Sequence, residues 1–244
     1  MFKGKYYFAG KTVGVESKYK RVQDLCADYV SESEPDFSVS ISQADIDYEW
    51  EREKSSAVCE NRKPIVTSDD YREELAVYRK IAEKMPEYDT VLFHGSVIAV
   101  DGQGFLFTAK SGTGKSTHTR LWRELLGDRA VMVNDDKPLL HISDEGTIAY
   151  GTPYNGKHHL GCNMSVRLKG ICILTRGEKN SIKKITKAEA YSMLVQQIYR
   201  PADPVQMGRT LKLLDKLADV TGLYKLSCNM DIEAAEVAYN GMKG

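Results

Sequence analysis

Two lysines, two glycines and four hydroxyl side chains fall together in Lys110-Ser111-Gly112-Thr113-Gly114-Lys115-Ser116-Thr117. A stretch of this composition can hold a phosphate. Gly112 and Gly114 let the backbone curl so that its N–H groups point inward at an anion. Lys115 can then reach the β- and γ-phosphates of a nucleotide, and the Ser116 hydroxyl can ligate Mg²⁺. Ser111, Thr113 and Thr117 complete the expected nucleotide-binding set. Ala109 stands where the strict form of this motif begins with glycine.

A second group lies about twenty residues on. Val131-Met132-Val133-Asn134-Asp135-Asp136 is an apolar run ending in two carboxylates. Adjacent residues at a strand end point in different directions, so one aspartate can serve a metal while the other faces an incoming hydroxyl as base. His94 precedes the phosphate-binding stretch and is expected at the same end of the sheet, within reach of the γ-phosphate or the base. Gly151-Thr152-Pro153-Tyr154-Asn155-Gly156-Lys157-His158-His159 combines turn formers with cations and reads as a functional loop. In it Lys157 is expected to contact phosphate, as is Arg176 at the end of a later apolar run. His158-His159 has no third ligand at a spacing that suits a metal. Arg120 and Arg123 read as charges on a helix surface.

These side chains need a frame that brings them together. Gly104-Phe105-Leu106-Phe107-Thr108 reads as the strand entering the loop. Leu121, Trp122, Leu125 and Leu126 recur at helical spacing behind it, and Gly127 stops the helix. Residues 91–100 read as a strand joined to the next by the turn Asp101-Gly102-Gln103-Gly104. Residues 138–151 read as a second hairpin, 170–174 as a buried strand, 186–199 and 204–219 as helices, 223–228 as a strand and 231–242 as a last helix. Nearer the start, strands flank Ala9-Gly10-Lys11, and 22–30 is a short helix. Residues 37–41 alternate as a strand, 55–68 is a loop, and 70–85 is an amphipathic helix ended by Pro86. The expected organisation is a small α+β N-terminal region over 1–88 and an α/β domain on a mixed sheet over 89–244.

Composition narrows the classes. Lys plus Arg and Asp plus Glu are both 34, so the formal net charge is zero and nothing favours nucleic acid as a partner. Within 24–53 Arg52 is the only basic residue among ten carboxylates, which reads as a solvated face or as a docking surface for a basic peptide. Five cysteines without a Cys-x-x-Cys pair indicate a reducing compartment. No apolar run approaches the ~20 residues of a membrane span, and the first residues lack a secretory core. A cytoplasmic protein with no membrane partner is expected, with a homo-oligomer left open.

Phe93-His94-Gly95-Ser96, Lys110–Ser116 and Asn134-Asp135-Asp136 occur in one order at short spacings. As a set they resemble the catalytic domain of HPr kinase/phosphorylase and the small HPr-kinase-like proteins, relatives of phosphoenolpyruvate carboxykinase. The resemblance spans roughly residues 90–240. It implies a P-loop kinase core using ATP and Mg²⁺, with a phosphotransfer site of His94, Lys115, Ser116, Asp135 and Asp136. It suggests Asp135 as base, which leaves Asp136 beside Ser116 as metal ligand. The family's signature segment after the aspartate pair is absent, and Gly151–His159 stands near its place. The resulting expectation is an ATP-dependent kinase acting on a hydroxyl, foremost a serine of a protein or peptide. A small-molecule kinase (free serine or a sugar) and a non-catalytic nucleotide-binding accessory protein remain open.

Overall fold

Tyr6, Phe8, Val13 and Val15 are buried along two strands that meet at Ala9-Gly10, both with positive φ (49° and 84°). That pairing of signs matches the right-handed twist of a tight hairpin. The computed structural model describes residues 1–156 and 159–244 and divides into two compact units, Met1–Lys84 and Met85–Gly244. No helix among the described residues is long and apolar enough to cross a membrane.

In the first unit β1 (Phe2–Phe8) and β2 (Lys11–Ser17) are antiparallel. After the short α1 (Arg21–Leu25), β3 (Phe37–Ser40) adds to β2 in parallel. Two helices follow, α2 (Gln43–Cys59) and α3 (Asp69–Lys84). The residues expected as loop from 55 onward are partly helix, because α2 runs to Cys59. It starts at a capping box in which the Ser42 side chain accepts from Asp45 N and the Asp45 side chain accepts from Ser42 N. Its apolar stripe is weak, and ion pairs to α3 help hold it. Arg79 Nε donates to the buried Glu49 at 2.5 Å, and Lys80 Nζ to Asp45 at 2.8 Å. Burial pushes the Asp45 carboxyl up, but Lys80 and the Ser42 donors outweigh it and bring it down to about 2. Elsewhere in the acidic stretch Glu34 meets Lys5, Asp36 meets Lys11 and Glu53 meets Arg62. Most of these carboxylates already have a cation of their own unit, which weakens the case for docking a basic peptide there.

The second unit is built on one mixed sheet. Its strands are β4 (Thr90–Leu92), β5 (Ser96–Val100), β6 (Gln103–Thr108), β7 (Ala130–Asn134), β8 (Leu139–Ser143), β9 (Gly146–Tyr150), β10 (Ser165–Arg176), β11 (Ser181–Lys184) and β12 (Gly222–Cys228). The order is β4-β8-β9-β10-β6-β5-β7, with β12 also on β10 and β11 on β12. β10 runs parallel to β6 and β12, and the other pairs are antiparallel. The helices are α4 (Lys115–Leu126), α5 (Lys187–Gln197), α6 (Pro204–Val220) and α7 (Glu233–Met242). This is the expected α/β fold on a mixed sheet.

Period-two alternation splits β6 between two cores. Leu106 packs on the face covered by Leu194, Leu214 and Leu217 from α5 and α6. Phe105 and Phe107 pack on the other face against Trp122 of α4 and the alanines of α7. Both phenylalanine rings lie 5.0 Å from the fully buried Trp122 ring. Trp122 Nε1 donates to His118 Nε2 at 3.1 Å, and burial pushes His118 down to about 4. Burying three such aromatics is worth several kcal/mol, so α4 is fixed to the end of β6 and the connecting turn cannot drift. The expected strand over 91–100 is two strands. β4 pairs with β8 and β5 with β6 and β7, and Phe93-His94-Gly95 bridges them.

Candidate functional site

The turn from β6 into α4 occupies Ala109–Gly114. Gly112 and Gly114 have φ of +73° and +120°, and a Cβ there would meet nothing within 4 Å. Glycine is required for the left-handed backbone and not for space. Ala109 is fully buried and is not among the residues with positive φ, so alanine fits where the strict motif has glycine. Thr113 N donates to Lys110 O and His118 N to Gly114 O, which closes the turn and starts the helix. Arg176, at the end of β10, donates from Nη2 to Gly112 O at 2.5 Å. Arg176 is thus set against this turn, where phosphate contact is expected of it.

Lys115 is half-buried and has no hydrogen bond or ion pair with a described residue. Burial holds its ammonium below the usual lysine range, and the Asp136 charge opposes that shift only in part. A cation in this state is stabilised by an anion arriving beside it.

The aspartate pair sits at the end of β7, held by Asn134. The Asn134 side-chain oxygen accepts from Asp136 N at 2.9 Å and Lys137 N at 2.7 Å, while its amide donates to Thr152. This Asx turn aims the two carboxylates apart. Asp135 Oδ1 accepts from Gly156 N at 2.5 Å, and Ser96 Oγ donates to Asp135 O. Asp136 Oδ1 lies 3.4 Å from His94 Nε2 and Oδ2 lies 3.8 Å from Lys137 Nζ. Burial pushes Asp136 up, but the His94 hydrogen bond and the charges of Lys137, His94 and Lys115 outweigh it and hold it below the ordinary carboxylate range. Asp136 therefore stays ionised.

His94 is locked from its other side. Its Nδ1 donates to Gln197 Oε1 at 2.8 Å, and its backbone N donates to Gln197 O. Thr108 Oγ1 donates to His94 O, and Gly95 N to Asp136 O. With Nδ1 carrying the hydrogen toward Gln197, Nε2 faces Asp136, and that contact is attractive when one proton lies between the two. Gln197 is buried at the end of α5 and is a site residue that the sequence does not single out. A lone glutamine on a helix gives no local signal, and its role comes from the sheet order.

Two cavities flank the first turn of α4. The larger, about 780 Å³, is lined by Gly112, Gly114, Thr117, Leu174, Arg176 and Met230 among others. The other, about 500 Å³, joins Ser116, Thr117, Arg120 and Arg123 of α4 to Met132, Asp135 and Leu160. Arg120 and Arg123 are exposed on α4, as the sequence suggested, and also line the cavity that holds Asp135. Lys157, expected to touch phosphate, and His158 lie outside the described residues. Among the described residues no three or more His, Cys, Asp or Glu side chains cluster to hold a metal by themselves. A hard divalent cation bound through one carboxylate, one hydroxyl and phosphate oxygens needs no such cluster. Ser116 and the ionised Asp136 are donors of the right chemistry for it.

The family model described as "ScmC: SynChlorMet cassette protein ScmC" matches residues 69–212, more than half of the chain. The chain belongs to the ScmC family. No curated protein matches. Among solved structures the ScmC-family chain is similar to the Hpr(Ser) kinase/phosphatase from Coxiella burnetii at 12% identity, covering 63% of this chain and 99% of that chain with a TM-score of 0.35. The ScmC match takes in the Gly-rich turn, the aspartate pair, His94 and Gln197 together.

Proposed function

We propose that this ScmC-family protein is a Mg²⁺- and ATP-dependent kinase that transfers the γ-phosphoryl group to a hydroxyl. The observation that carries the reading is the half-buried Lys115 ammonium, without an ion pair to a described residue, at the mouth of a turn whose glycines hold left-handed backbone. Backbone N–H groups of 111–116 and the α4 N-terminus would hold the phosphates, with Lys115 on the β- and γ-oxygens and Arg176 bracing the turn. Thr117 and the predominantly apolar larger cavity would take the nucleoside. Lys157 remains part of the proposal as a phosphate contact.

Mg²⁺, when bound, supplies charge neutralisation on the phosphates, and Ser116 and Asp136 are the residues that would hold it. Asp135 opens on the second cavity and has one oxygen left after accepting Gly156 N–H. It would take the hydroxyl proton as base. His94 lies beside Asp136 and not beside Asp135, so in this reading it steadies the metal carboxylate. The acceptor oxygen forms a bond to the γ-phosphorus, the bond to the β,γ-bridging oxygen breaks, ADP leaves with that electron pair, and the proton goes to Asp135. Purified protein given Mg²⁺ and ATP labelled at the γ-phosphate should transfer the label to a hydroxyl acceptor in a cell extract. Tight ATP binding with no transfer to any acceptor would favour a nucleotide-binding accessory protein instead.

Gln197 provides a separate check. Gln197→Met removes the acceptor of the His94 Nδ1 hydrogen bond at similar size and should lower kcat about tenfold, the order expected for an outer hydrogen-bond partner at a metal site. Gln197→Glu keeps an acceptor at that place and should retain more activity than Gln197→Met. Equal kcat in wild type and Gln197→Met would remove Gln197 from the site.

A further inference from the structure

Phosphotransfer needs an acceptor, and the second cavity has the chemistry to select one. Ser116, Arg120 and Arg123 are four and seven positions apart, which on a helix of 3.6 residues per turn places both arginines within about 40° of the direction of Ser116. The arginines sit about 6 and 10 Å along the axis from Ser116. Both arginines line the same cavity as Ser116 and Thr117 of the first turn of α4. Met132 and Leu160 add apolar lining to the cavity, and Asp135 adds a carboxylate.

The charges here are unbalanced. Arg120 is paired with Glu124 on an exposed surface, a contact of little strength. Arg123 has no ion pair with a described residue. The Asp135 carboxylate accepts only the Gly156 N–H among the described residues. Among the described residues two cations thus share a cavity of about 500 Å³ with one carboxylate, and the volume suits a small molecule or a chain end rather than a folded surface. A planar guanidinium binds carboxylate or phosphate through paired hydrogen bonds.

We propose that this cavity receives the acceptor, and that Arg120 and Arg123 bind a carboxylate or phosphate carried close to the hydroxyl that is phosphorylated. The chemistry of the hydroxyl rests on the phosphotransfer reading, whereas recognition of the anion does not. The site selects a negatively charged acceptor, opposite in sign to the basic peptide that the acidic stretch 24–53 suggested.

Matched acceptors that differ only in the anion test this: L-serine against L-serinamide, glycerol phosphate against glycerol, and a short serine peptide ending in a free carboxylate against its amide. Binding is titrated calorimetrically with and without Mg-ATP, and phosphotransfer is measured in parallel. At least one anionic member should bind about tenfold more tightly than its neutral partner, and added salt should shrink the gap. The pair that shows the gap tells a free small molecule from a peptide end. Arg120→Ala with Arg123→Ala should erase the preference and leave Mg-ATP affinity unchanged, and Arg123→Lys should restore part of it. Both arginines are exposed on α4, so folding should survive. Equal binding within every pair, no binding of any anionic member at millimolar concentration, or a preference that persists in the double variant would each overturn the proposal. A retained anion preference in a protein that neither binds nor uses Mg-ATP would sink the kinase reading and leave the anion site standing.

Discussion

Lys115→Ala should lower the affinity for Mg-ATP by about 10²-fold while the protein stays folded. Hydrogen bonds to a charged partner contribute ~1.5–3 kcal/mol each, and 1.4 kcal/mol is a factor of ten. Losing the ammonium from the β- and γ-phosphates therefore removes about two orders of magnitude. The expected effect on stability has the opposite sign. Burial depresses the Lys115 pKa in the folded chain. Below the unfolded lysine value, folding is thus opposed by keeping this side chain charged. Removing it relieves that cost, and the Tm should hold or rise in the absence of nucleotide. Added Mg-ATP should raise the wild-type Tm through binding to the native state and leave the variant's Tm in place. A variant that binds Mg-ATP as wild type does, by calorimetry or by thermal shift, would remove the phosphate-binding reading of the 109–117 turn.

The aspartate pair should separate chemistry from nucleotide binding. Asp135→Asn keeps the side-chain oxygen that accepts Gly156 N–H and loses the base. It should cut single-turnover phosphotransfer by 10²–10⁴, the usual worth of a positioned general base, with Mg-ATP affinity within a few-fold of wild type. Asp136→Asn removes the ionised carboxylate between His94, Lys115 and Lys137. It should raise the Mg²⁺ concentration needed for half-maximal rate and weaken nucleotide binding. His94→Ala should resemble Asp136→Asn, because its Nε2 is 3.4 Å from that carboxylate. In wild type, Asp136 stays ionised to a lower pH than an ordinary aspartate, so Mg²⁺-dependent binding should weaken only below that ordinary range. If Asp135→Asn abolishes nucleotide binding while Asp136→Asn slows only the chemical step, the two roles are reversed. If neither slows transfer, the base lies elsewhere.

Local chemistry makes much of this molecule legible in its sequence. The Gly-rich turn, its strand and its helix are readable because each depends on neighbours a few residues away: φ > 0 needs glycine, and Leu121, Trp122, Leu125 and Leu126 recur at helical spacing. The hairpins at Asp101-Gly102 and Ser143–Gly146 are readable for the same reason. α2 escapes such a reading although Ser42 and Asp45 carry a capping signal, because what holds it is partly Arg79 and Lys80 of the next helix. β11 escapes it because a short exposed strand has no pattern until β12 supplies its partner.

The sequence by itself thus determined most of the elements, the mixed-sheet class and the residue types able to handle a phosphate, since propensity, periodicity and turn chemistry act over short spans. Only the tertiary structure decided which groups meet. Gln197 reaches His94 across 103 positions of chain, Arg176 reaches Gly112 across 64, and Gly156 donates to Asp135 from a loop 21 residues away. It also set Arg120 and Arg123, which are surface charges as expected, along the cavity that holds Asp135. The physical reason is that sheet order and register are set by the cooperative burial of two apolar faces. That sum over the whole unit cannot be read from any one segment, and it alone fixes which side chains share a cavity.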